Sequence, residues 1–309
     1  MKVLVLGGNG FIGSNIVAAL KNKKIEVLIG SRNVTKRQAA QTNMRQVVLH
    51  KLQNTEDWLP ILQGVDFVVN SVGILRERRK ESYNQVHALA PEALADACAA
   101  LNVKLIHISA IGLTDNAKSG FIRSKYWGEQ AILNSGAMAI IVRASLLDGT
   151  VGNGGAGYGA KWFRRVARWP VQCVMQSDDE NQGVVAPLQV TDLGEAIANL
   201  CQMNFEKLPK VMELGGNKVV TIAQYLQSLR ASYQQKVALQ IAVPAILVRI
   251  VSHIFDVFAI TPLSFGHFEL MQGYNAPAMN MLPVLLGRRP SEVGANFEAK
   301  TALFGLPIV

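Results

Sequence analysis

The chain has 309 residues, enough for one large domain or two small ones with a real core. Half of it is hydrophobic and only 17% is charged, which excludes broad disorder. The formal net charge of +9 admits an anionic partner (a phosphorylated cofactor, an anionic membrane surface or nucleic acid) without choosing among them.

Short β-branched runs alternate with helical patterns through the first two thirds. Strands are predicted at KVLVLG (2–7), EVLIGS (26–31), QVVLH (46–50), VDFVVN (65–70), VKLIHIS (103–109) and MAIIVR (138–143). Several are almost wholly apolar, as strands covered on both faces are. Ile12, Ile16 and Leu20 recur at helical spacing, and residues 85–101 and 122–134 carry similar stripes. This alternation predicts an α/β fold, a doubly wound parallel sheet of the Rossmann kind. After Arg143 the texture changes. DGTVGNGGAGYG (148–159) predicts a mobile glycine loop, and VMEL (211–214) is one further strand before a helical C-terminal third. The expected layout is a nucleotide domain at 1–147, to which 186–214 returns, and a smaller, mostly helical part from 148–185 and 215–309. The longest apolar stretch, 237–260, is interrupted by Pro244, Arg249, His253 and Asp256. It therefore predicts an amphipathic helix against the protein or a membrane surface, and no spanning helix.

Gly7, Gly10 and Gly13 lie between the first strand and the first helix. Glycines there permit a sharp turn and close backbone approach, so that amides at the helix start, around Phe11 and Ile12, can meet a pyrophosphate. The second strand ends in Ser31 and Arg32, with Lys36 and Arg37 beyond, where an NAD-selective protein usually places an acid. A guanidinium can grip a 2′-phosphate, so NADP (NADPH) is expected in preference to NAD; Arg32 as a solvated surface residue is the alternative. Ser109 ends the fifth strand. Lys125 lies sixteen residues on, with Phe121 one helical turn before it. Asn70–Gly73 ends the fourth strand, where Val72 and Gly73 can close over a nicotinamide.

These blocks, GGNGFIG, NSVG, HISAIG and FIRSKYWGE, resemble the atypical and extended short-chain dehydrogenase/reductases. Residues 82–112 are similar to the branch containing the nucleotide-binding accessory subunit of respiratory complex I and its bacterial relatives, and His87 fits that branch. The resemblance covers most of 1–225. It implies a Tyr-x-x-x-Lys motif with an upstream Ser, which maps onto Phe121, Lys125 and Ser109. The lysine of that family holds the nicotinamide ribose and the tyrosine exchanges the substrate proton. Phenylalanine has no proton to give, which takes away a factor of about 10²–10⁴. Tyr126 is five residues from 121, about 140° round the helix; Tyr83 or a water on Ser109 is the conceivable substitute. The adenine-side acid of the family is missing, with Lys51 near its position. Ser109 as a strand-end cap, Lys125 as a solvated residue and His87 as a structural histidine are the plain alternatives.

No Walker, HExxH or GxSxG motif occurs, and the other histidines, His50, His107, His253 and His267, lack ligand spacing, so no metal is expected. Cys98, Cys173 and Cys201 are far apart and form no CxxC pair, which predicts buried thiols in a reducing, cytoplasmic setting. The opening MKVLVLGGNG turns glycine-rich too soon for a signal peptide. Basic clusters at 76–80 and 162–169 admit nucleic acid or anionic lipid, but an amphipathic helix with an arginine face accounts for the second. Two functions remain open. One is an oxidoreductase acting on a small apolar carbonyl or quinone-like substrate. The other is a non-catalytic NADPH-binding accessory or assembly protein of a membrane complex, peripheral on its inner face through 237–260.

Overall fold

Apolar strand residues alternate between two cores, one on each face of a central sheet. The computed structural model describes residues 1–32, 34, 43–78, 81–149, 158–175, 183–258 and 265–294. In chain order the first half runs β1 (Lys2–Leu6), α1 (Phe11–Asn22), β2 (Glu26–Ser31), β3 (Met44–Gln46), α2 (Thr55–Leu62), β4 (Phe67–Asn70), a π-helical turn (Gln85–Leu89) leading into α3 (Ala90–Ala100), β5 (Lys104–Ala110), α4 (Gly120–Asn134) and β6 (Ala139–Ala144). The second half runs β7 (Leu147–Asp148), α5 (Tyr158–Ala167), β8 (Val171–Met175), β9 (Val184–Val185), β10 (Leu188–Gln189), α6 (Val190–Leu200), β11 (Val211–Leu214), β12 (Val220–Thr221), α7 (Ile222–Ser232), β13 (Leu239–Val243), α8 (Ala245–Phe258), α9 (Phe265–Gln272), β14 (Tyr274–Asn275) and α10 (Leu282–Leu286).

Seven strands form one parallel sheet in the order β11-β6-β5-β4-β1-β2-β3. This is the doubly wound arrangement, with its switch of winding direction between β1 and β4. Because successive side chains on a strand point to opposite faces, Val3 and Val5 of β1 join Ile106 and Ile108 of β5 under α1 and α6. Leu4 and Leu6 join Val68 and Leu105 under Trp58 of α2 and Leu94 of α3. The sequence reading did not single out α2. Its start is set by Asp57, whose carboxylate accepts from the Asn54 amide, and it buries Trp58 and Leu62.

Three expectations need correction. Cys173, expected to be buried like Cys98 and Cys201, is exposed on the outer side of β8. The third strand is Met44–Gln46, and not 46–50. After Val47 gives a last backbone bond to Ser31, the chain leaves the sheet edge so that Val47 and Leu49 can turn into the core with Trp58. The stretch 237–260 is not one helix. Its first part is β13, paired in parallel with β8, and the helix α8 starts only after Pro244. Proline has no amide for a ladder and fixes a φ suited to a helix start, so it separates the two.

The C-terminal segment is fastened over the carboxyl ends of β5 and β6. The Asn275 side chain donates to the Ile111 carbonyl at 2.8 Å, and Ser145 donates to Asn275 Oδ1 at 3.0 Å. The Glu269 carboxylate of α9 accepts from the backbone amides of Lys118 and Ser119 at 2.6 and 2.8 Å, just before α4. The glycine-dense loop predicted at 148–159 falls mostly on 150–157, outside the described residues.

Candidate active site

A cavity of about 650 Å³ opens at the carboxyl ends of β1, β4 and β5, where doubly wound sheets take their ligands. Gly7, Gly10, Phe11 and Ile12 form its floor at the start of α1. Gly7 has φ +76°, a left-handed turn conformation that favours glycine. Gly13 does not line the cavity. It lets α1 press on the bend, for a Cβ there would lie 2.2 Å from the Gly7 carbonyl oxygen. The N-cap of α1 is Gly10, which has no side chain to satisfy the helix amides, and the first turn carries no acid. An anion is the natural complement to such an end.

Ser31, Arg32, Val72 and Gly73 line the same cavity, as do Ser109, Phe121 and Lys125. The structure thus brings together residues drawn from five segments of the chain. Arg37 lies outside the described residues. Ser109 is buried, and its hydroxyl is one of the few buried polar atoms among the described residues with no hydrogen-bond partner. Buried polar groups are nearly always paired, so a hydroxyl facing a cavity in this state is fit for a ligand. Lys125 Nζ stands 5.7 Å from the centre of the Phe121 ring. Burial lowers the Lys125 pKa, with Glu129 opposing the shift.

His87 is accounted for on both nitrogens. Ser124 donates its hydroxyl to the Phe121 carbonyl at 3.1 Å, so the contact at 3.1 Å between Ser124 Oγ and His87 Nδ1 is a donation from the imidazole. Nε2 then accepts from the Ile74 amide at 3.0 Å. Burial first, and Lys125 second, hold its pKa well below the ordinary range. It is a neutral brace between α4 and the chain after β4. The Tyr83 hydroxyl donates to the Leu75 carbonyl at 3.0 Å, while its ring packs on those of His87 and Phe121.

Two participants were not foreseen. Glu81 lines the cavity and holds the Arg32 guanidinium through two bonds of 2.9 and 3.0 Å. It came from the basic-looking stretch RERRKE, where its own charge was hidden. His267 of α9 also lines the cavity, its ring centre 4.9 Å from that of Phe121. The helix reaches so close because Gly266 meets Phe121; a Cβ on it would lie 2.8 Å from the Phe121 Cβ. Only the fold could bring position 267 to position 121.

Residues 3–149 match the NAD dependent epimerase/dehydratase family. The likeness is to proteins of the short-chain dehydrogenase/reductase kind. Over 266 residues, 84% of this chain and 71% of the relative, the protein is 23% identical to NADH dehydrogenase [ubiquinone] 1 alpha subcomplex subunit 9, mitochondrial, of Dictyostelium discoideum. It is 24% identical to the ceramide reductase of Caulobacter vibrioides over 65% of this chain, spanning only 61% of that relative. Among solved structures, the UDP-glucose 4-epimerase of Thermus thermophilus, a complex with NAD, superposes with a TM-score of 0.58 at 22% identity, covering 79% of this chain and 86% of the other. These agree with the atypical dehydrogenase/reductase resemblance and its complex I branch. Among the described residues no helix is long and apolar enough to cross a membrane, and no cluster of potential metal ligands occurs.

Proposed function

We propose that this chain binds NADP(H) in the cavity and reduces an apolar carbonyl or quinone-like substrate. The observation that carries the reading is a single cavity shared by the glycine bend, the unpartnered Ser109 hydroxyl and Lys125. The amides at the start of α1 would take the pyrophosphate, with Gly7, Gly10 and Gly13 allowing the approach. Lys125 would hold the nicotinamide ribose, Val72 and Gly73 would cover the ring, and Ser109 would donate to the substrate oxygen. A bound nicotinamide dinucleotide would supply the hydride. Phe121 stands at the position of the family's tyrosine, so the proton must come from elsewhere. Arg32, at the adenosine end, would exchange Glu81 for a 2′-phosphate; its charge favours NADP over NAD. The substrate class rests on the far wall of the cavity, formed by Leu146, Leu147, Phe163, Leu270 and Met271. The stretch 237–260 does not line it.

The test is consumption of NADPH by the purified protein with a panel of quinones, long-chain carbonyls and small polar sugars. Turnover with the apolar members supports the reading, and turnover with sugars alone would overturn the substrate class. Tight NADPH binding with no turnover would favour a second reading, in which the nucleotide is a structural ligand of an accessory protein docked on a membrane complex. One observation favours that second reading. Leu239 and Ile241 of β13 sit in register with Val171 and Cys173 of β8, and all four are exposed; Ile246, Leu247 and Ile250 of α8, which follows β13 in the chain, are exposed as well. Contiguous exposed apolar surface of this kind marks an interface. In either reading the part after 215, mostly helical, would be the substrate or partner element.

A further inference from the structure

We propose that His267 is the proton donor of this site, taking over from the C-terminal segment the role that Phe121 cannot perform; this rests on the reductase reading above. Four titratable side chains among the described residues line the cavity: Arg32, Glu81, Lys125 and His267. Arg32 and Glu81 are bound to each other at the adenosine end. Only Lys125 and His267 remain beside Ser109, and Lys125 is the group assigned to the ribose. The imidazole lies against the Phe121 ring at 4.9 Å with the planes inclined by 31°. It therefore sits beside the place from which a tyrosine hydroxyl on α4 would have worked. It is also near enough to His87 to help depress that residue's protonation.

Its placement is built. Glu269, one turn along α9, is locked onto the Lys118 and Ser119 amides, and Gly266 admits the helix to contact with Phe121. The charged and titratable groups packed about the Phe121 ring that it touches are Lys125 on α4 and His87 and Tyr83 on the segment before α3, with Glu269 two residues along α9; on the other side, Arg249 of α8 sits over the ring of Phe265 in α9. Tyr83 and His87, the other proton carriers packed on Phe121, do not line the cavity; the Tyr83 hydroxyl donates to the Leu75 carbonyl, and His87 is neutral and bonded to Ser124 and the Ile74 amide. In the reaction the carbonyl carbon gains a hydride and its two electrons from the reduced dinucleotide. The oxygen gains the His267 proton as the C=O π bond is lost. The product is an alcohol (a hydroquinone from a quinone), and the neutral imidazole is recharged from water.

The experiment compares full-length wild type, His267→Gln and the double variant Phe121→Tyr with His267→Gln, using NADPH and the best acceptor from the panel. The single variant is expected to lose about 10²–10⁴-fold in kcat, to keep its NADPH affinity, and to lose the acid-dependent limb of the pH profile. The double variant, with a tyrosine hydroxyl restored one turn before Lys125, is expected to recover at least tenfold. Independently of turnover, the His267 ring resonance, identified by its absence in the Gln variant, should shift when NADP is bound. A His267→Gln protein with kcat within about twofold of wild type, or a ring signal indifferent to NADP, would overturn the assignment. A wild type that binds NADPH and consumes it with no acceptor would overturn the enzymatic reading itself, and the donor with it.

Discussion

Arg32 and Glu81 meet at the rim of the cavity, and in the proposed reading a 2′-phosphate would compete with Glu81 for the guanidinium. A charge-assisted bond contributes about 1.5–3 kcal/mol, so Arg32→Ala should weaken NADPH binding about ten- to a hundredfold and leave NADH nearly unchanged. Glu81→Gln should act in the opposite direction, since it removes a carboxylate that a phosphate must displace. Calorimetric titration of both variants with both coenzymes checks this; equal losses for NADPH and NADH would exclude Arg32 as the discriminator. The arginine was visible from its place after β2. The glutamate was not, because 49 residues separate the pair and no local pattern joins them. His267 was invisible for the same reason, whereas Ser109, Phe121 and Lys125 could be found because the family motif they resemble is local in sequence.

The buried residues of β5 and α4 make the site's frame sensitive to pH and charge. His107 is buried in β5, where its Nδ1 meets the Asn70 amide at 3.1 Å; burial first, then Lys125, brings its pKa down to about 3. Between the ordinary imidazole value near 6.5 and about 3, the unfolded chain binds a proton that the folded one refuses. Stability is therefore lost as pH falls through that window, on the order of a few kcal/mol. His87 shifts in the same direction. His107→Gln should flatten the dependence in denaturant unfolding at pH 7 and pH 4; an unchanged difference would refute it. Glu129 on α4 is fully buried and bound by Arg143 of β6 at 2.6–3.2 Å. Glu129→Gln removes the closer carboxylate of Arg143 and leaves Glu213 at 3.9 Å; breaking a buried pair costs about 3–5 kcal/mol at most, readable as a lower midpoint in urea. At this scale the parallel strands were legible from their apolar runs. The edge strand β3 and the β13–α8 break were missed because tertiary packing of Val47 and the position of Pro244 overrode local hydropathy.

Across the whole molecule, the described apolar residues divide among the sheet's two cores, two smaller clusters around Phe163 and Phe121, and exposed positions on β8, β13 and α8. Val237 and Leu239 are 68% and 64% exposed there. Substituting Asp at Leu239 and Ile246 should abolish any co-flotation with anionic vesicles while leaving NADPH affinity intact. Flotation that survives the change would move the contact elsewhere. The composition admitted an anionic partner but could not say where the apolar surface would gather, which only the pairing of β13 with β8 determines. The central claim is the nucleotide itself, held at a bend that Gly13 allows α1 to approach. Titration of the wild-type chain and of Gly13→Val with NADPH tests it most directly. Saturable binding of one coenzyme per chain, lost in the variant, is the predicted result. No binding by the wild type at millimolar coenzyme, or equal binding by both proteins, would contradict it.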